Sequence, residues 1–212
     1  VSESTGRSVA WGVVAFDADL NGAPDVFVGN SIVAAPGGFW TGLQTCSPYP
    51  TPGDQAHGLL LNDGLGTLHS VDVAHGGPYE ATWWPVTVAG GDLDRDGDVD
   101  LVVAEQGGLW VHDNQVPRLG QWMVVRALDP QGRAVRHAVV EVFDEGGRGW
   151  RAELRGTQGY SGHSALQAHF GLGQVTSALD VRVRWPDGSV TEVSGVAPGT
   201  RLDVVRPDRG DG

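Results

Sequence analysis

"GGDLDRDGDVDLVV", Gly90 to Val103, places five aspartates in nine positions and then runs directly into an apolar segment. Asp92, Asp94 and Asp96 occupy positions 1, 3 and 5 of a loop, Gly97 position 6 and Asp100 position 9. When such a loop curls, the side chains at 1, 3 and 5 converge on one point. The glycine permits the sharp turn, the backbone carbonyl of Asp98 at position 7 turns inward, and the aspartate at 9 closes the cage. About six hard oxygen ligands on a flexible loop describe calcium better than magnesium or zinc. Without a cation, so many carboxylates in one loop repel one another.

The pattern occurs twice. "WGVVAFDADLNGAPDVFVGN" (Trp11–Asn30) aligns without a gap to "VTVAGGDLDRDGDVDLVVAE" (Val86–Glu105). The corresponding ligand positions are Asp17, Asp19, Asn21, the carbonyl of Ala23, and Asp25. Each copy reads strand, acidic loop, strand, and each is followed by a similar piece, "GLLLNDGLG" from Gly58 and "GLWVHDNQ" from Gly108. The repeating unit therefore includes a further strand. These are not EF-hands: position 12 holds Val28 or Val103 where that motif needs a glutamate, and the flanks read as strands. A solvated Asp/Gly turn is the plain alternative for one such loop. Two aligned copies favour two calcium sites.

The rest of the chain also reads as strand. Short β-branched or aromatic runs recur between Gly, Pro and Asp turns, at Val9–Phe16, Asp25–Val28, Leu59–Leu61, Val86–Ala89, Leu101–Ala104 and Leu109–His112, then at Trp122–Leu128, Ala138–Phe143, Trp150–Leu154, Leu166–Phe170, Val181–Trp185 and Leu202–Val205. In "VRVRW", Val181, Val183 and Trp185 share one face and Arg182 and Arg184 the other, the period of a half-buried strand. No stretch carries sustained helical periodicity. The Ser31–Gln55 insertion is the best place for a short helix. The repeat pattern stops around "QVPRLG" (Gln115–Gly120), which marks a boundary between a unit at 1–118 and a second at 119–212 with a short tail.

Composition excludes several classes. The 212 residues carry a formal net charge of −12, and all 14 basic residues are Arg. So acidic a chain is a poor ligand for nucleic acid or an anionic membrane. No run approaches the roughly 18 apolar residues of a membrane span. Cys46 is the sole cysteine, so no disulfide forms within the chain.

The two loops resemble FG-GAP/VCBS-type repeats, the calcium-loop blades of integrin-like β-propellers, and "LLLNDGLGTLHSVD" is similar to the inter-strand turn of those repeats. "GYSGHSALQAHFGLG" (Gly159–Gly173) and "VRVRWPDGSVTEV" (Val181–Val193) resemble an ASPIC/UnbV domain. The order of the two parts resembles bacterial homologues of cartilage acidic protein. The resemblance implies a secreted or surface-exposed, calcium-binding, non-enzymatic protein, and supplies no substrate.

Other candidates are weaker. His163 and His169 lie near Ser161, Ser164 and Tyr160, but "GYSGHS" lacks the spacing of a nucleophile elbow, so these read as structural residues. His69, His75 and His112 do not form a zinc spacing. Most of the eight Trp residues, including Trp11, Trp110, Trp122 and Trp185, sit in strand patterns and read as core; Trp83 and Trp84 cannot share a face. Arg209-Gly210-Asp211 matches an integrin-recognition tripeptide, which three residues do easily by chance.

The expected protein is all-β: partial propeller-like blades with calcium loops, then a β-sandwich-like domain. The expected role is structural or adhesive, outside the cell and without catalysis, with a protein or surface-glycan partner. Alternatives are a subunit of an extracellular filament or tube, a carbohydrate-binding module, and a propeller-based lyase. Closed propellers use about four to eight blades, so two units leave faces open. That points to self-association through Val9–Phe16 or Trp83–Ala89, or to the C-terminal domain acting as a cap.

Overall fold

The computed structural model describes residues 9–31, 57–71, 85–105, 108–156 and 162–208. The insertion expected to hold a helix, Cys46, His75, Trp83, Trp84 and the Arg209–Asp211 tripeptide lie outside the described residues. Among those described there is no helix, and none of the four sheets closes into a barrel.

The N-terminal half forms two sheets. The first is β1 (Val9–Phe16), β2 (Asp25–Ser31), β3 (Gly58–Asn62) and β4 (Leu68–Val71), in that spatial order and antiparallel throughout. The second is β5 (Pro85–Gly91), β6 (Asp100–Glu105) and β7 (Gly108–His112). In each, the acidic loop is the hairpin connection between the first two strands. Strand alternation gives each sheet one face toward the other. Val14 and Phe27 pair across β1 and β2, Val88 and Val103 across β5 and β6, and all four join Leu101 in a small shared core. The approach is close because β1 carries glycine at the crossing: a Cβ on Gly12 would fall 2.6 Å from the Val88 side chain.

The C-terminal half is a sandwich. β8 (Gln121–Leu128) lies between β11 (Ala168–Gly173), antiparallel to it, and β14 (Thr200–Val205), parallel to it. The facing sheet runs β10 (Gly149–Glu153), β9 (Val139–Phe143), β12 (Leu179–Arg184), β13 (Val190–Val196). One hydrophobic core joins both, with Met123, Val125, Phe170 and Leu172 from one sheet and Val140, Val142, Val181 and Val183 from the other, closed by Trp185. The buried Val/Val/Trp face of "VRVRW" and the exposed Arg182 and Arg184 follow the sequence period.

Three expectations are corrected. β4 and β13 are strands that the apolar pattern did not mark; β4 is exposed along its whole length and β13 along most of it, so neither shows a buried stripe. The strand expected at Leu166–Phe170 starts at Ala168 and continues through the glycines to Gly173. Trp110, expected in the core, is 39% exposed on outer strand β7. Val9–Phe16 and the strand after Trp84, the segments expected to carry association, pack on each other through one face as β1 and β5, and Val13 on the other face of β1 is exposed.

Candidate metal centres

The two acidic loops fold alike. Position 4 takes a positive φ in both, at Leu20 (61°) and Arg95 (69°), followed by Gly22 (93°) and Gly97 (102°) at position 6. Left-handed backbone at two of three consecutive residues curls the chain, and glycine at the second avoids the Cβ clash. The carboxylate at position 1 caps that turn: Gly22 N donates to Asp17 Oδ2 at 2.8 Å and Gly97 N to Asp92 Oδ2 at 3.1 Å. Position 3 accepts from the amide of position 5 in both loops, at 3.1 Å. The aspartate at 9 is buried and bridges the loop to a later strand end. Asp25 accepts from Ala18 N (2.6 Å) and Asn62 N (2.7 Å), and Asp100 from Leu93 N (2.9 Å) and Asn114 N (3.0 Å).

This scaffolding brings carboxylates together. Asp17, Asp19 and Asp25 each offer an oxygen within 4.8 Å of the others, and so do Asp92, Asp94 and Asp100. The remaining predicted positions behave differently. The Asn21 amide donates to the Asn62 carbonyl at 2.7 Å, and its oxygen accepts from Ala23 N at 2.7 Å. Asp96 and Asp98 are both ion-paired to Arg118, the latter at 2.9 Å. Arg118 thus sets a positive charge against both side chains, while Asp96 also hydrogen-bonds the Asp94 side chain.

The electrostatics match a crowded, cation-seeking site. Burial pushes the Asp17 carboxyl up to about 7, against the Gly22 amide bond, and the charges of Asp25 and Asp19 push the same way. Burial raises Asp25 as well. In the second loop burial raises Asp98 to about 6 against the pull of Arg118. The Asp96 amide pulls Asp94 down, but desolvation and the charges of Asp96 and Asp100 outweigh it and leave it raised. Burial also acts upward on Asp96, where the Asp98 amide and Arg118 prevail and hold it low. The Asp92 side chain is buried; its Oδ2 is paired with Arg201, and its Oδ1 has no hydrogen-bond partner. A desolvated carboxylate oxygen without a donor is costly, and a hard cation fits such a donor set.

The loops are roofed by the C-terminal half. Strand alternation sends Met123, Val125 and Phe170 into the sandwich core and Trp122, Val124, His169 and Gly171 to the opposite face of the same sheet, and that face covers the loops. Leu119 N donates to Asp19 O at 2.6 Å, Gly173 N to Leu20 O at 3.0 Å, and the His169 Nε2–H to Gly97 O at 2.9 Å. Arg201 reaches Asp92. A Cβ at Gly171 would overlap the Asp17 carboxylate, and one at Gly97 the Trp122 ring. Sequence reading missed Arg118, Trp122, His169, Gly171 and Arg201 as loop partners. One signal was present: "HFGLG" continues a strand through glycine, which marks a close backbone approach.

Residues 130–211 match the family described as ASPIC and UnbV. The ASPIC and UnbV segment holds β9 to β14, while β8, the central strand of the sheet above the loops, precedes it. His169, Gly171, Gly173 and Arg201 are thus contributed by the ASPIC and UnbV segment to loops that lie outside it. No curated protein matches the chain.

Proposed function

We propose that the two loops each hold one calcium ion, and that the chain is an extracellular, non-catalytic structural module of FG-GAP/VCBS type. In this reading calcium fixes the loops beneath the C-terminal sheet, and the rigid unit serves adhesion to a protein or surface glycan. The observation that carries it is the duplicated loop: the same positive-φ positions, the same amide-to-carboxylate bonds, and three aspartate oxygens within 4.8 Å in both copies. Asp17, Asp19 and Asp25 would hold the first ion; Asp92, Asp94 and Asp100 would hold the second, with the carbonyls of Ala23 and Asp98 at position 7. All are hard oxygens, the donor class calcium takes. The chain's own residues do the rest: backbone amides orient the carboxylates, and Trp122 and the β11 glycines exclude water from above.

Calorimetric titration of the metal-free chain with calcium tests this. Two binding events are expected, one lost in Asp19→Asn and the other in Asp94→Asn. At a hundredfold excess over Kd, binding to the folded state alone stabilises by about 2.7 kcal/mol per site. No heat of binding together with an unchanged melting temperature in calcium and in chelator would count against the reading.

A further inference from the structure

The segment from Asp113 to Gly120, where the repeat pattern ends, bonds alternately to the two acidic loops. The Asn114 N–H donates to Asp100 Oδ1 of the second loop at 3.0 Å, and the Asn114 side-chain amide donates to the Ala18 carbonyl of the first at 2.9 Å. Arg118 then donates to Asp98 Oδ2 at 3.0 Å and to the Asp96 carbonyl at 3.2 Å, both in the second loop. The next residue returns to the first loop, where Leu119 N donates to Asp19 O at 2.6 Å. Gly120 passes so near that a Cβ there would overlap the Leu20 carbonyl oxygen.

These contacts end on the candidate ligands or beside them. Asp100 is position 9 of the second loop, and the Ala18 carbonyl belongs to the peptide that leads into Asp19, position 3 of the first. The Ala18 N–H in turn donates to Asp25 Oδ2 at 2.6 Å. One asparagine thus joins a carboxylate of one cluster to the backbone that sets two carboxylates of the other. Asn62 shows the same arrangement without the crossing. Its N–H donates to Asp25 Oδ1 at 2.7 Å, as that of Asn114 does to Asp100. The side-chain oxygen of each asparagine accepts from the amide two residues on, at 3.0 Å. The Asn62 side-chain amide, however, turns back to the Pro24 carbonyl of its own loop at 3.2 Å. Both asparagines close a loop, and Asn114 also reaches the other one.

We propose that Asn114, with the segment that carries it, couples the two loops, so that calcium held in one raises the affinity of the other for calcium. Coupling presupposes the calcium reading of both loops. One position of Asn114 satisfies both loops at once. An ion that fixes Asp100 therefore fixes Asn114, and Asn114 holds the Ala18–Asp19 peptide. The share of the ordering cost that the two loops have in common is then met by whichever ion binds first. Charge acts the other way, because each ion offsets carboxylates that attract the other. Asn114 is uncharged, so replacing it removes the first effect and leaves the second. By linkage the effect is equal in both directions.

Calorimetric titration of the full chain with calcium tests it. The affinity of the second loop is measured with the first loop intact and with it disabled by Asp19→Asn, and the ratio of the two is the coupling. That ratio is expected to be at least about fivefold larger with Asn114 than with Asn114→Ser. The serine hydroxyl still accepts from the Val116 amide but is too short to reach the Ala18 carbonyl. Asn62→Ser should weaken the first loop and leave the ratio unchanged. A second readout needs no change at Asn114, and it decides alone if Asn114→Ser loses its sheet spectrum. In the Asp19→Asn chain, where only the second loop binds, calcium should slow hydrogen exchange at the Ala18 and Gly22 amides of the first. Equal ratios with and without Asn114, an equal loss of coupling in Asn62→Ser, or unchanged exchange in the first loop would each overturn the coupling while the calcium reading stands. No heat of binding in the wild type overturns the calcium reading, and the coupling with it.

Discussion

At the scale of single residues, the acidic loops are held in opposition to their own charge. Asp17 keeps its proton to about pH 7 in the metal-free fold because burial and two neighbouring carboxylates oppose ionisation. Its unfolded value lies near the ordinary 3.8, so between about pH 4 and 7 the folded state holds a proton that the unfolded state has released. Stability of the metal-free protein is therefore expected to fall as pH rises through that window. In the proposed calcium-bound form the preference would reverse, because a cation favours the ionised carboxylate. Binding at pH 6 should release close to one proton from the first loop and far less at pH 8, which calorimetry in buffers of different ionisation enthalpy measures. Asp17→Asn should abolish both that release and the first site. Gly171 sets a second residue-scale limit, since any side chain there enters the space of the Asp17 carboxylate. Gly171→Val is expected to destabilise by about 1–3 kcal/mol, as overpacking does, and to weaken binding at the first loop more than at the second. Equal weakening of both sites in titration would rule out that local cause.

At the scale of elements, strand alternation assigns two jobs to one sheet. β8 and β11 send one face to the sandwich core and the other to the loops, so they are buried on both sides and supported from both. The facing sheet has a single core, and Trp185 closes its end with 2% exposure and an Nε1–H bond of 2.9 Å to the Thr191 hydroxyl. Trp185→Ala is expected to cost about 3–5 kcal/mol in urea unfolding. Trp185→Phe should cost less, because most of the ring volume stays and the Thr191 hydroxyl is exposed enough to find water. A loss below about 1 kcal/mol for the alanine variant would contradict the burial of this ring.

At the scale of the whole molecule, the two halves meet at the acidic loops. Backbone bonds from Leu119 and Gly173, the His169 bond to Gly97 and the Arg201 pair with Asp92 all end on residues between 19 and 97 that belong to a loop. The shared core of the N-terminal sheets is small, and that of the sandwich is large. Two unfolding transitions are therefore expected in chelator, the N-terminal sheets first. In millimolar calcium the first should move up and merge with the second, because ligand binding stabilises only the part that holds it. Residues 119–212 alone should melt at one temperature with or without calcium. Scanning calorimetry decides this, and a calcium-dependent melt of the isolated half would place a metal site in the sandwich.

The strand content and the duplication were legible in the sequence because each depends on spacing within a few residues; the spacing also set positions 1, 3, 5 and 9 on one loop, of which the structure brings the carboxylates at 1, 3 and 9 within 4.8 Å. Period-two alternation marked Val181, Val183 and Trp185 as core, and Gly97 marked the turn. Exposed strands such as β4 were not legible, since a strand with no buried face leaves no apolar stripe. The roles of Asp96 and Asp98 were equally hidden. Spacing offers the Asp96 side chain and the Asp98 carbonyl to the loop, and only the chain's return brings Arg118 against both side chains. Only the tertiary structure brought His169, Gly171 and Arg201 over loops that lie from 72 to 154 residues away in the chain, and only it left Val13 of β1 and Val111 of β7 exposed. Local pattern determines which residues curl or alternate; which face meets which is decided by long-range packing, where the same apolar residue serves a core, a roof or an open face.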